Sequence, residues 1–246
     1  MKARYTILSL LLPLSMSLAA EQVESTAGTL KGKITSQDIT TLTVSGTIDA
    51  SDIDFINNSL TSLKHLDLSS ATITAYQGKK LANGRNYSAD NTLPEFGLIG
   101  TRIETIILPK GLKCLSDGCL AASSITSITL PESVDSIGTG AFNGCTRLTE
   151  ANLGHTQTSC LPVQIFKGCS SLTDIELPPH IKQISDEAFM GCSSLTEIQL
   201  PASLQTIGDK AFNGCKTLTD INFTANLHTV GSEVFTGTAL ETGDMS

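Results

Sequence analysis

Five phenylalanines, Phe142, Phe166, Phe189, Phe212 and Phe235, recur at intervals of 24, 23, 23 and 23 residues. A fixed period of this length constrains the fold before anything else, because it marks stacked copies of one supersecondary unit. Leu148, Leu172, Leu195, Leu218 and Leu240 keep nearly the same rhythm, and Gly-Cys returns at Gly144-Cys145, Gly168-Cys169, Gly191-Cys192 and Gly214-Cys215. Six units follow, at 103–124, 125–147, 148–171, 172–194, 195–217 and 218–239. A degenerate seventh at 93–102 places Phe96 one period before Leu120, and so in the phenylalanine column.

The unit 172–194, LTDIELPPHIKQISDEAFMGCSS, shows the physics. Its first six residues alternate as a half-buried strand does, with Leu172, Ile175 and Leu177 as the inward set. This L-x-x-I-x-L spacing is that of leucine-rich repeats. Pro178 removes a backbone donor and ends the strand. Ile181 and Ile184 supply a second apolar pair. Ser185 or Asp186 then caps a short helical turn carrying Ala188 and Phe189, and Gly191 permits a tight exit. One such coil cannot bury its own apolar face; stacked coils can, with parallel strands about 4.8 Å apart. The phenylalanines then form a ladder through the core.

The stretch ITSITLPESVDSIGTGAFNGC, from Ile125 to Cys145, closely resembles the BspA-like leucine-rich repeats of bacterial surface proteins. The resemblance covers 103–240, and residues 42–73 resemble the N-terminal cap common in that family. The cap also reads from its own residues. Thr29–Ile34 and Thr41–Ile48 have strand character. Ser51 can cap a helix with Ile53, Ile56 and Leu60 on one face. Leu63, Leu66, Leu68 and Ile73 give a first leucine-rich strand. The expected fold is an α/β repeat solenoid, a leucine-rich repeat with a parallel β-sheet, short helical turns and an N-terminal cap. Residues 21–73 form the cap and first strand, 74–102 a polar loop and degenerate repeat, 103–240 the six repeats, and 241–246 a tail. That tail shows no evident cap, so the C-terminal end is frayed, truncated or covered by a partner.

Residues 1–20 read as a secretory signal. Lys2 and Arg4 precede the apolar run Ile7–Leu14, and small residues follow to Ala20. The run is too short for a permanent span, and no later stretch is apolar for long enough, so no transmembrane segment is expected in the mature chain. The mature protein is expected in the periplasm, at the cell surface or outside the cell. The formal charge is −8, and losing Lys2 and Arg4 with the leader leaves 14 basic against 24 acidic side chains, or −10. Such a surface repels phosphate backbones and argues against nucleic acid as a partner.

Two groups of residues are candidates for partner binding. Glu150, Asp174, Glu176, Glu197 and Asp220 occupy outward strand positions of neighbouring coils, which parallel pairing stacks into an acidic stripe. Like charges at strand spacing cost free energy unless neutralised; the stripe meets a basic partner or divalent cations, or is a solvated face that keeps the chain soluble. Residues 74–92 break the period and concentrate Tyr76, Lys79, Lys80, Arg85 and Tyr87, either a binding loop on a rigid scaffold or a tolerated insertion.

The seven cysteines fall largely in repeat columns. Cys145, Cys169, Cys192 and Cys215 share a turn position where side-by-side Cβ vectors suit bridging poorly. Cys119 falls in the inward Ala column, and Cys114 and Cys160 align with Gln183. Buried inert thiols are expected, and no disulfide, zinc site or other metal or cofactor site. No nucleophile, base and oxyanion-donor constellation appears, so no catalytic residue is assigned and the chain is not expected to be an enzyme. The composition and repeat leave three readings. The first is a binding protein acting through its repeat face, for which the family resemblance implies adhesion to a host extracellular-matrix or cell-surface protein. The second is an envelope structural or assembly protein forming oligomers by stacking through its C-terminal end. The third is a carbohydrate-binding accessory protein, disfavoured by the absence of Trp.

Overall fold

The computed structural model describes residues 20–241 apart from 82, 83, 85 and 86. The expected leader lies outside these residues except for Ala20, which opens the first strand. In chain order the elements are β1 (Ala20–Ser25), β2 (Thr41–Ile48), α1 (Ala50–Ser59), β3 (His65–Ile73), β4 (Tyr76–Gln77), β5 (Tyr87–Ser88), β6 (Thr92–Leu93), β7 (Thr105–Ile107), β8 (Cys114–Leu115) and β9 (Ser127–Thr129). They continue as β10 (Ser136–Ile137), β11 (Glu150–Asn152), β12 (Cys160–Leu161), β13 (Asp174–Glu176), β14 (Gln183–Ile184), β15 (Glu197–Ile198), β16 (Thr206–Ile207), β17 (Asp220–Ile221) and β18 (Thr229–Val230).

The chain winds as a solenoid with three walls. The first wall is parallel and runs β1-β2-β3-β7, then β9-β11-β13, then β15-β17. The second runs β6-β8-β10, then β12-β14-β16-β18. The third has no strand; it is a column of turns that hydrogen-bond from coil to coil. There Leu98 N donates to Cys119 O, Leu120 N to Ala141 O, Phe142 N to Ile165 O, Phe166 N to Ala188 O, Phe189 N to Ala211 O and Phe212 N to Val234 O, at 2.8–3.0 Å.

Those bonds define the core column. Phe142, Phe166, Phe189 and Phe212 are fully buried. Successive rings from Phe142 to Phe235 stack at centroid separations of 5.3, 5.6, 5.2 and 5.8 Å, within 17° of parallel. Upstream the column is filled by Leu98 and Leu120, both fully buried. Phe96 is therefore not in it, contrary to the sequence expectation. It is 37% exposed, and its ring lies where a Cβ on Gly118 would stand. The early coils advance by 22 residues from Leu98 to Leu120 to Phe142, so counting back 24 lands two positions too early.

The bend before each core ring is a hydrogen-bonded turn. Among the described residues the helices are α1 and the 3-10 turn Leu30–Gly32, both outside the repeats. Phe96, Gly118, Gly140, Gln164, Glu187, Lys210 and Glu233 share one left-handed position, with φ between 52° and 61°. A residue there breaks any helical run, and the repetition of the neighbouring coil's bonds offsets its cost. Asp186 does not cap a helix. Its carboxylate accepts from Asp209 N at 2.8 Å in the next coil, as Asp117 accepts from Thr139 N and Asp209 from Ser232 N, both at 2.7 Å. The residue before each donor is Gly138, Gly208 or Gly231, whose missing Cβ leaves the space the Asp occupies. This ladder explains the Gly of the repeat.

The cysteine column is also satisfied between coils. The thiols of Cys145, Cys169, Cys192 and Cys215 donate to the carbonyls of Leu120, Phe142, Phe166 and Phe189 at 3.1–3.2 Å. All seven cysteines are thiols; Cys119 is buried, and Cys114 and Cys160 are half-buried. Burial pushes Cys192 well up and Cys215 up to about 12.

The N-terminal unit departs from expectation in three places. Residues Thr29–Ile34 are not a strand, because Asp52 draws the chain inward: its carboxylate accepts from Gly28 N at 2.7 Å and Leu30 N at 2.9 Å. The helix cap is Asp49, not Ser51. Asp49 accepts from Ser51 N at 2.8 Å and Asp52 N at 3.3 Å, while Asp52 accepts from Asp49 N at 3.1 Å, a reciprocal capping box. The third departure is β1, whose single inward aliphatic residue, Val23, gave little periodic signal. Ile53, Ile56, Leu60, Leu63, Leu66, Leu68 and Ile73 are buried as their pattern requires.

Candidate binding face

The outward positions of the first wall form two adjoining columns. One carries His65, Thr105, Ser127, Glu150, Asp174, Glu197 and Asp220; the other carries Asp67, Ile107, Thr129, Asn152, Glu176, Gln199 and Asn222. Register pairs Ser127 with Glu150, Glu150 with Asp174, Asn152 with Glu176, and Glu197 with Asp220. The five acidic residues anticipated from the sequence are all exposed. Among the described residues they form no ion pair, although Asn152 Nδ2 donates to Glu176.

The stripe is interrupted. No strand pairing joins β13 to β15, so Glu150–Asp174 and Glu197–Asp220 are two registered pairs with a gap between them. Ile175 and Leu177, expected to be inward, are only half-buried beside this gap. Continued register across the gap would set Asp174 against Glu197 and Glu176 against Gln199.

A second gap separates β7 from β9, where Thr126 N to Glu104 O, at 3.0 Å, is the remaining backbone bond. There the wall opens into a groove of about 460 Å³ lined by Ile106, Ile107, Leu108, Ser127, Thr129, Leu130 and Pro131 together with the charged Lys110 and Glu132. Ile107 is 54% exposed in a column otherwise polar. Strand parity turns Ile107 outward between the inward Ile106 and Leu108, but the groove has no signal in the spacing, since it depends on hydrogen bonds that are not made. Beside the groove, Glu104 takes Lys64 at 3.1 Å and Arg147 at 3.2 Å, and the Lys64 bond holds its carboxyl below the usual range.

The period-breaking segment forms an antiparallel hairpin, β4 with β5, Tyr76 opposite Ser88 and Gln77 opposite Tyr87. Tyr76 OH donates to Lys79 O at 2.8 Å, and Asp90 accepts from Ala75 N at 2.7 Å, tying the base. Lys79 and Lys80 are exposed. Tyr87 pairs through its backbone, and Arg85 lies outside the described residues. The hairpin and the acidic stripe belong to different parts of the coil, so the structure does not merge the two groups into one site.

Among the described residues no three His, Cys, Asp or Glu side chains come together as a metal-ligand set. No helix among them is long and apolar enough to cross a membrane.

Residues 99–161 and 155–246 match the BspA type leucine rich repeat region in six copies. The chain belongs to this family. The fold of this BspA-type chain is similar to that of a leucine-rich repeat protein from Bacteroides ovatus ATCC 8483, at 24% identity and a TM-score of 0.55, over 82% of this chain and 53% of that one. It is similar also to a leucine-rich repeat protein from Eubacterium ventriosum ATCC 27560, at 21% identity and a TM-score of 0.57, over 82% of this chain and 60% of that one. The BspA-type chain therefore spans less than two-thirds of the length of these solved chains. No curated protein matches it.

Proposed function

We propose that this BspA-type chain is an exported, non-enzymatic binding module that engages another protein, of the host extracellular-matrix or cell-surface kind, through the outward face of its first wall. One observation carries this reading: Glu150, Asp174, Glu197 and Asp220 stand exposed and, among the described residues, without ion-pair partners on stacked, hydrogen-bonded coils. A rigid scaffold spreads these charges along a surface and lowers the ordering cost of association. The basic, apolar-run start at residues 1–20 supports export to the periplasm, surface or exterior. The test is binding of the purified chain to immobilised matrix proteins and mucins, beside a variant with Glu150, Asp174, Glu176, Glu197 and Asp220 changed to their amides. Saturable binding that the variant loses supports the reading. Binding that survives all five changes moves the interface to the segment 74–92, which carries Tyr76, Lys79, Lys80, Arg85 and Tyr87 in its sequence, and no binding at all overturns adhesion.

A second reading, assembly by stacking, is favoured by the coil at 218–241. It leaves Phe223 39% and Val230 50% exposed, at positions that are core in preceding coils. A sedimentation coefficient that rises with concentration supports stacking; a strict monomer removes it.

A further inference from the structure

The first wall changes character along its length. At one end the groove between β7 and β9 exposes Ile107 among Ile106, Leu108, Leu130 and Pro131. From Glu150 to Asn222 the same two outward columns carry five carboxylates and no cation. The two regions are continuous, because Ser127 on the groove wall is registered against Glu150, and Thr129 against Asn152.

From these observations, and resting on the proposed binding role of this face, we infer that it takes an extended basic polypeptide segment, anchored by one aliphatic side chain in the groove, with lysines or arginines running toward Asp220. Charge complementarity sets the composition, since the exposed carboxylates attract cations and repel acidic segments. The groove sets the anchor, because a hollow lined by Ile106, Ile107, Leu108, Leu130 and Pro131 receives an aliphatic side chain. The position of the carboxylates sets the polarity: they begin at Glu150, on one side of the groove, while Lys110 and Glu132 in the lining offset each other. Four coil spacings of about 4.8 Å separate Ser127 from Asp220, roughly 19 Å. Same-side residues of an extended chain repeat about every 6.8 Å, so about three cations at alternate positions follow the anchor.

The probe is a fluorescein-labelled octapeptide, Leu-Ser-Lys-Ser-Lys-Ser-Lys-Ser, measured by anisotropy against the purified chain in about 50 mM salt. Two companions replace its Leu by Ser, or its Lys by Glu. The Leu peptide is expected to bind saturably and to weaken as salt shortens the Debye length. The Ser companion should bind about tenfold more weakly, the scale of burying one aliphatic side chain, and the Glu companion should not bind. Ile107→Ser should cost the Leu peptide the same factor and leave the Ser companion unchanged, whereas E150Q with D174N should weaken both. Ile107 is exposed, so the thermal midpoint of Ile107→Ser should match that of the parent and show an intact fold. Equal binding of Leu and Ser peptides, or an Ile107→Ser effect shared by both, overturns the anchored-segment inference, as does absence of peptide binding. If the peptide fails while the five-amide variant still loses a matrix-protein partner, only this inference falls. If both assays fail, the binding role falls with it.

Discussion

Replacing Phe189 by Ala removes a ring sandwiched between Phe166 at 5.6 Å and Phe212 at 5.2 Å. Deleting a fully buried Phe costs about 3–5 kcal/mol, transfer and cavity together, and the upper part of that range is expected where two stacked neighbours hold the cavity open. Phe235 supplies the internal control. It is half-buried, stacks on Phe212 at 5.8 Å and meets Phe223 edge-on at 5.8 Å, with no coil beyond it among the described residues. In a chain of nearest-neighbour interfaces, Phe189→Ala weakens two and Phe235→Ala about one, so the second should cost roughly half the first. Urea unfolding followed by far-UV circular dichroism reads both, and an unchanged m value is required for the comparison. Equal costs would refute the view that the rings act locally between adjacent coils, and would assign the stability to one cooperative core. Phe189→Leu should fall between parent and Ala, because Leu98 and Leu120 already serve in this column.

Asp52 and Glu187 should tilt the pH dependence of stability in opposite directions. Burial, the largest influence, raises Asp52 above 3.8, so its contribution is complete below that pH and declines as pH rises through the folded value; Lys167 lowers Glu187 below 4.5, so its contribution is present above that pH and is lost as pH falls. Thermal midpoints against pH should show D52N flattening the first trend and E187Q the second, with D52A also losing about 2–4 kcal/mol from three unpaired backbone donors. Gly208→Ala places a Cβ 2.6 Å from Asp186 N and against its carboxylate, whereas one on Gly111 finds only Asn91 Oδ1 at 3.9 Å. The first should cost about 1–3 kcal/mol and the second under ~1 kcal/mol in chemical denaturation. A disulfide-exchange reagent at pH 8 should label Cys114 and Cys160 first, leaving the five buried thiols unreactive until the chain unfolds; rapid labelling of all seven would contradict the packed column.

The period in Phe, Leu and Gly-Cys made the solenoid legible, because each coil repeats the same burial demands and the sequence repeats with them. Strand parity likewise placed Glu150, Asp174, Glu176, Glu197 and Asp220 outward. What depended on contacts between different coils was not legible. Leu98 displaced Phe96 because the early coils are 22 residues long, and a leucine fills the column without announcing itself. Asp186 has the local pattern of a cap, but its carboxylate accepts from Asp209 N in the next coil. Asp52 gives no periodic signal, yet it holds Gly28, Leu30 and Asp49 together. The parity that turns Glu176 outward also turns Ile107 outward, but the groove beside it follows from missing ladder bonds, which leave no mark on composition or spacing.

The gaps in strand pairing have a mechanical consequence. On the first wall they fall between β7 and β9 and between β13 and β15; on the second the gap falls between β10 and β12. At each gap the opposite wall is paired, through β8–β10, β9–β11 or β14–β16, and the turn wall is bonded throughout. The open joints are therefore staggered as in brickwork, and no crack can pass through the rod in a single plane. Tension along its axis should flex the first wall at its two open joints before it parts any two coils, so a partner pulling on this face would open them while the stack behind holds.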